Sequence, residues 1–227
     1  MSGLKMNLKK TQVMFNNYIN SCSIKVDNNE LEIVDNYIYL GRKITMNNDI
    51  MEEILNRTKL GWRKFGQLNI VFKSNMPFCL KRKLFDQCVL PVLTYGCETW
   101  TLNSKSIQKL NTTQRSMERQ MLNITRYDKK RNIWIRNQTK VCDIMRWIAS
   151  KKWQWAGHIA RRKDNRWTVE ILNWIPRDHK RPRSRPKKRW IEDIIKFKGV
   201  QWKQIARCRD SWTEAGVAFI LHWIDNG

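Results

Sequence analysis

The chain has 227 residues and carries 44 Lys and Arg against 20 Asp and Glu, a net charge of +24. So strong an imbalance repels itself and calls for an anionic partner, with nucleic acid ahead of a membrane surface because no anchoring amphipathic helix stands out. At 41% hydrophobic with twelve Trp it can bury a core, as one large domain or two small ones, which excludes a disordered basic tail.

The charge is unevenly spread. Residues 1–48 are net +2, residues 49–150 net +11, and residues 151–227 net +11. No run of 18 apolar residues and no apolar signal core occur, so the expectation is a nuclear or cytoplasmic chain, neither secreted nor membrane-bound. The six Cys show no short-range pairing pattern and read as reduced core thiols.

In chain order, residues 11–45 predict strands. Thr11–Phe15 is short and β-prone. Ser23–Val26 and Leu31–Ile33 alternate around Asp27-Asn28-Asn29, which predicts a hairpin. Tyr37–Leu40 is a third strand closing on Gly41.

From Asp49 the period turns helical. Asp49 can cap, with Glu52 as its capping-box partner. Ile54, Gly61, Phe65, Leu68 and Phe72 share one face; Lys59, Arg63, Lys64 and Lys73 lie mostly off it. A second helix opens at Pro77 and runs through Leu80, Leu84 and Cys88 until Pro91 stops or kinks it. Pro91–Trp100 is a compact apolar connection. A third helix from Ser104 carries Ile107, Leu110, Met117 and Met121 on one face, and residues 123–132 are a basic loop. A fourth, capped near Thr139, carries Val141, Ile144, Ile148, Trp155 and Ile159, with a bend or stop near Gly157. Beyond it come short helices at Trp190–Ile195 and Trp202–Ala206. A last helix begins near Asp210 or Ser211 and carries Trp212, Ala215, Phe219 and Trp223. The expected fold is mainly α, with a small N-terminal β element.

Residues 151–190 hold five Trp among clusters of Lys and Arg. Within them Arg181-Pro-Arg-Ser-Arg-Pro-Lys-Lys-Arg189 has six cations, no acid and two prolines that oppose a helix. It predicts an extended cationic strap between Trp-bearing helices. Its cations suit phosphates and the neighbouring rings suit bases. A solvated face or a nuclear-import signal is the alternative. Arg161, Arg162, Arg181, Arg183, Arg185, Lys187, Lys188 and Arg189 are therefore candidate phosphate contacts, with Lys59, Arg63 and Lys64 on the earlier helix. Trp167 and Trp190 are candidate stacking faces; Trp212 and Trp223 sit at core spacing.

Catalytic chemistry finds less support. No Asp-Asp pair exists to hold divalent ions for polymerase or nuclease work. Glu52-Glu53 reads as the acidic first turn of a helix, and Glu192-Asp193 as a partner for the strap. No Cys or His pair has zinc-ligand spacing, although a site assembled from Cys142, His158 and Cys208 stays open. No glycine-rich phosphate loop and no nucleophile elbow occur. No catalytic residue, metal ligand or cofactor is expected.

An ordered set of runs carries a resemblance. Tyr39-Leu-Gly41, Leu90-Pro-Val-Leu-Thr-Tyr-Gly-Cys-Glu-Thr-Trp-Thr101, Met117-Glu-Arg-Gln-Met-Leu122, Lys152-Trp-Gln-Trp-Ala-Gly-His-Ile-Ala-Arg161, Arg166-Trp167 and Arg189-Trp190 together resemble the C-terminal part of non-LTR retrotransposon reverse transcriptases of the RTE-like endonuclease–polymerase kind. The resemblance runs from about Leu8 to the end. It implies that residues 1–48 are a palm-end and primer-grip β element, residues 49–126 a thumb-like helical region, and residues 127–227 a basic Trp-rich nucleic-acid-binding region with the strap at 181–189. Ser184 stands where that family usually has Gly.

The resemblance also implies an absence. The upstream endonuclease, the fingers and the metal-holding Asp-Asp motif, where the parent polymerase would use Mg, have no counterpart here. The expected function is a non-catalytic fragment that holds RNA template, primer or target DNA during target-primed reverse transcription, working beside a catalytic reverse transcriptase subunit. The alternatives are a domesticated nucleic-acid-binding protein and a helical interaction module. Without the rest of a palm sheet, residues 1–48 are expected to expose an unpaired edge and to promote aggregation.

Overall fold

Strands come first and helices follow, as the change of hydrophobic period near Asp49 predicts. The computed structural model describes residues 6–16, 19–46, 49–163, 167–173 and 188–226. It divides into two units, Met1–Asn56 and Arg57–Gly227.

In the first unit, β1 (Gln12–Val13) pairs in parallel with β4 (Glu32–Ile33), while β2 (Lys25–Val26) and β3 (Asn29–Glu30) form an antiparallel hairpin. Asp27 and Asn28 turn that hairpin with φ of 48° and 61°. This is the double left-handed conformation of a type I′ turn, which Asn and Asp tolerate best after Gly. The predicted hairpin thus forms, but its return strand is Asn29–Glu30, and the stretch expected to return, around Ile33, pairs with β1 instead. A second antiparallel hairpin joins β5 (Asn36–Tyr39) to β6 (Arg42–Thr45) across Leu40 and Gly41, again both at positive φ.

Ladders of two residues hold little, and Ile33, Tyr37, Ile38, Tyr39, Leu40 and Ile44 are exposed. Sparse burial means low local stability. The amides of β1 to β4 are expected to exchange orders of magnitude faster than those of the long helices of the other unit. Protection of both to the same extent in a monomer would overturn that.

Helix α1 (Ile50–Gln67) begins as predicted at Asp49, whose carboxylate accepts the Met51 amide at 3.0 Å. The capping box does not close. Glu52 is drawn instead to the Lys43 ammonium at 2.7 Å, and Glu53 accepts the Lys43 backbone amide at 2.7 Å. The β5–β6 hairpin supplies better donors than the helix's own first turn.

In the second unit, Phe65 stacks on Phe72 of α2 (Asn69–Lys73) with centroids 4.6 Å apart. Gly61 lies against Leu93, where a Cβ would stand 2.2 Å from the leucine Cδ2. Helix α3 (Phe78–Leu84) starts after Pro77 and passes through a π turn at Phe85–Val89 into α4 (Leu90–Leu93). Pro91 therefore neither stops nor sharply ends the helix. The wider turn before it absorbs the missing amide donor. Part of the expected apolar connection is helical as a result, and it closes at Gly96 with φ 72°.

Helix α5 (Ser104–Met121) is capped by the Asn103 side chain, which accepts the Ser106 amide at 2.9 Å. Next comes α6 (Asn132–Thr139), a helix not expected from the sequence, ended by Lys140 at φ 50°. Thr139 is thus the end of one helix and not the cap of the next. Asp143 caps α7 (Ile144–Arg161), accepting the amides of Met145 and Arg146 at 3.0 and 3.3 Å. Helices α8 (Trp167–Asn173), α9 (Glu192–Lys198), α10 (Trp202–Arg207) and α11 (Arg209–Asn226) complete the described chain.

Helix α7 is the axis of this unit; α5, α8, α10 and α11 all pack against it. At its centre Trp153 and Trp212 stack 3.6 Å apart and nearly parallel. Each indole N–H donates to the other residue's backbone carbonyl, at 2.8 Å from Trp153 and 3.0 Å from Trp212. Phe219 stacks on Trp153 at 4.6 Å. Gly157 does not bend or end the helix. It is small because the Trp212 ring occupies the space a side chain would need.

Candidate nucleic-acid interface

Trp153 and Trp155 are two residues apart on α7, about 200° round a helix. The first is buried and the second half-buried, which settles which of the two reaches the surface. The Arg162 guanidinium lies over the Trp155 ring at 5.6 Å, and its Nη1 donates to the Thr168 hydroxyl at 3.3 Å. Trp190 is half-buried: its indole N–H donates to the Glu98 carbonyl at 2.7 Å, and the Lys152 ammonium stands 5.3 Å from its ring. Between the two rings lies an open groove of about 300 Å³, lined also by Thr99, Ile171, Leu172 and Arg189.

This groove brings Trp155, Arg189 and Trp190 together, and Arg162 lies over the Trp155 ring. Arg181, Arg183, Arg185 and Lys187 lie outside the described residues. Lys188 is exposed yet bound to Asp193 at 2.6 Å, so the end of the strap is paired with an acid that follows it through this lysine. The second oxygen of Asp193 meets the buried Lys152 at 2.6 Å. Burial alone would raise the Asp193 carboxyl, but Lys152 and Lys188 outweigh it and hold it below the usual range.

The remaining candidates divide. Trp167, at the start of α8, is 80% exposed and offers a free ring face. The Arg161 guanidinium is held in the fold, donating to the Ala206 carbonyl at 2.8 Å. Lys59 and Arg63 are exposed on α1, and Lys64 is half-buried there.

One buried feature borders the apolar face of α5 and is built of polar residues, which the hydrophobic pattern does not register. Arg115 donates from Nη1 to both Glu118 oxygens at 2.6 and 2.8 Å and from Nη2 to Asp143 at 2.8 Å. Thr139 donates its hydroxyl to Glu118 at 2.9 Å, and Arg136 also pairs with Asp143. Gln114 accepts the Ile144 amide at 2.9 Å and donates to the Cys142 carbonyl at 2.7 Å. The network ties α5, α6 and the start of α7 into one piece. Burial pushes Glu118 up from its ordinary value, against the pull of Arg115. The signal in the sequence is Arg115 and Glu118 at helical spacing.

Among the described residues no group of three or more His, Cys, Asp or Glu is placed to hold a metal ion. The thiols are less uniform than expected. Cys97 is buried and its pKa is pushed up to about 12 by that burial, whereas Cys22, Cys79 and Cys208 are exposed. No described helix is long and apolar enough to cross a membrane.

Comparison with known proteins gives one informative match. An uncharacterized transposon-derived protein of Caenorhabditis elegans is 34% identical, over 92% of this chain and 81% of that protein. No protein-family model matches the chain. No solved structure matches it.

Proposed function

The chain belongs to a family of transposon-derived proteins, and from that premise we propose that it binds nucleic acid as the C-terminal portion of a non-LTR retrotransposon reverse transcriptase. In this reading residues 1–48 are the palm-end element, residues 49–126 the thumb-like region, and residues 127–227 the basic region that grips RNA template, primer or target DNA. The chain contributes holding, not chemistry, to target-primed reverse transcription. It works with a catalytic reverse transcriptase subunit.

The observation that carries the reading is the groove between Trp155 and Trp190. Aromatic faces lie beside Arg162 and Arg189, and Arg189 closes the run 181–189, which has six cations and no acid. Cations confer affinity through phosphates, and rings add sequence-tolerant stacking on bases.

The test is binding of a labelled template–primer duplex across a salt series. One protein carries the strap intact; the other has Arg181, Arg183, Arg185, Lys187, Lys188 and Arg189 changed to Gln. Counterion release predicts that the log–log slope shallows by about 0.9 for each phosphate of B-form DNA that is no longer neutralised. A drop of several units is the expected result; with Lys188 already spent on Asp193, it should fall short of the full value for six cations. An unchanged slope would remove the strap from the interface. Equal affinity for any duplex or single strand would favour a general nucleic-acid-binding role over template–primer gripping.

A further inference from the structure

A second groove is built from other residues. Gln108, Thr112, Arg115 and Arg119 recur at helical spacing along one side of α5, and Arg126 and Asn132 join them from the following turn and the start of α6. It is about 500 Å³ and shares no lining residue with the groove beside Trp190. Three guanidinium groups line it and no acid does.

The turn that carries Arg126 is held by its own bonds. Helix α5 ends on Asn123 at φ 54°, and the Ile124 amide donates back to the Arg119 carbonyl at 3.0 Å, a left-handed helix ending. Asp128 accepts the Thr125 amide at 2.6 Å and the Thr125 hydroxyl at 2.9 Å. The Lys129 amide donates to the Arg126 carbonyl at 3.2 Å. The acid nearest Arg126 in sequence is thus used to close the turn. Among the described residues the Arg126 guanidinium has no ion pair and no hydrogen bond.

The other two guanidinium groups differ. Arg115 is committed to Glu118 and Asp143, and with Arg136 these carboxylates are balanced. Arg119 Nη2 donates to the neutral Asn132 Oδ1 at 2.9 Å, which positions the group without matching its charge. The surplus at the groove is therefore Arg119 and Arg126, with the neutral donors of Gln108, Thr112 and Asn132 beside them. Such a set suits an oxyanion, and the planar guanidinium fork matches the oxygens of a phosphate.

Resting on the nucleic-acid reading above, we propose that this groove holds a backbone phosphodiester of a nucleic-acid strand, DNA or RNA alike, against Arg119 and Arg126. A strand carries a charge at every nucleotide, so one engaged by the strap has further phosphates to offer. The contact adds affinity and reads no base.

The experiment titrates the full chain, Arg126→Gln and Arg126→Lys with a labelled single-stranded DNA lacking terminal phosphates, across a salt series. Arg126 is exposed, so neither variant should move the denaturant midpoint. Arg126→Gln is expected to weaken binding by about tenfold, the loss of one charge-assisted hydrogen bond. It should shallow the log–log slope by about 0.7, the value for one phosphate of a single strand. Arg126→Lys keeps the charge and should keep the slope. If the full chain binds but Arg126→Gln leaves affinity and slope unchanged, or Arg126→Lys loses as much slope as Arg126→Gln, the groove holds no phosphate, while the nucleic-acid reading stands. A dependence on Arg126 seen only when the strand carries a 5′-phosphate would overturn the backbone placement in favour of a strand end. Polyglutamate binding that falls with Arg126→Gln while strand binding does not would assign the groove to an acidic peptide instead. If the unaltered chain binds no strand, both readings fall.

Discussion

Arg115→Met is expected to destabilise the Arg57–Gly227 unit by about 3–5 kcal/mol at neutral pH, because it strands a buried carboxylate. Glu118 is fully buried, and Arg115 is its only cationic hydrogen-bond partner among the described residues. Thr139 alone would remain to satisfy it. Asp143 suffers less, since Arg136 still reaches it.

The deficit carries a signature in pH. Burial already raises Glu118 above its ordinary 4.5, and loss of Arg115 raises it further. A folded state that holds a proton the unfolded state releases is favoured by acid. Stability linked to that proton is fully present below about 4.5 and is lost as pH rises through the folded value. Denaturant midpoints of Arg115→Met and the unaltered chain should therefore converge between pH 8 and pH 5. Arg115→Met combined with Glu118→Gln, which removes the charge and keeps an acceptor for Thr139, should recover most of the loss at pH 8. A deficit independent of pH and untouched by the second substitution would mean that Arg115 acts by packing its stem alone.

What the sequence made legible follows from periodicity. The faces Ile54–Phe65, Leu110–Met117–Met121 and Trp212–Phe219–Trp223 are all buried, because one helix period projects each to one side, while Phe72, on the same expected face, is buried from the separate helix α2. The chain is mainly helical after short N-terminal strands, as the pattern indicated. Elements set by polar partners were less visible. Residues 132–139 look like the tail of a basic loop until Thr139 finds Glu118, 21 residues earlier, and Arg136 finds Asp143. Glu52 reads as a cap until Lys43 competes for it. Gly157 reads as a helix breaker until the ring facing it is known. Of the candidate contacts, Trp190 and Arg161 prove to be hydrogen-bonded to backbone carbonyls, a use that composition cannot separate from ligand binding.

The ring facing Gly157 gives the second large effect. Trp212→Ala should cost about 3–5 kcal/mol, the usual loss for deleting a buried Trp. Its indole fills the space between Trp153, Trp202 and α7, and its N–H serves the Trp153 carbonyl. Gly157→Ala alone sets two effects against each other. Ala is better than Gly in a helix interior by about 1 kcal/mol. Against that, the new Cβ would stand 2.5 Å from Trp212 Nε1 and 2.7 Å from its Cδ1, and overpacking of a core typically costs about 1–3 kcal/mol. The ring is pinned by stacking and by its hydrogen bond, so it cannot swing aside, and the steric cost should prevail. With Trp212→Ala in place the ring is gone. What then remains near the Cβ is Arg161 Nη1 at 2.9 Å, the far end of a flexible side chain. Gly157→Ala should now stabilise, by up to about 1 kcal/mol. A double-mutant cycle read by denaturant unfolding is thus expected to show a change of sign, with a coupling above about 1 kcal/mol. Additive effects of the two substitutions would mean that α7 yields at Gly157 and that glycine there is not needed by the Trp153–Trp212 stack.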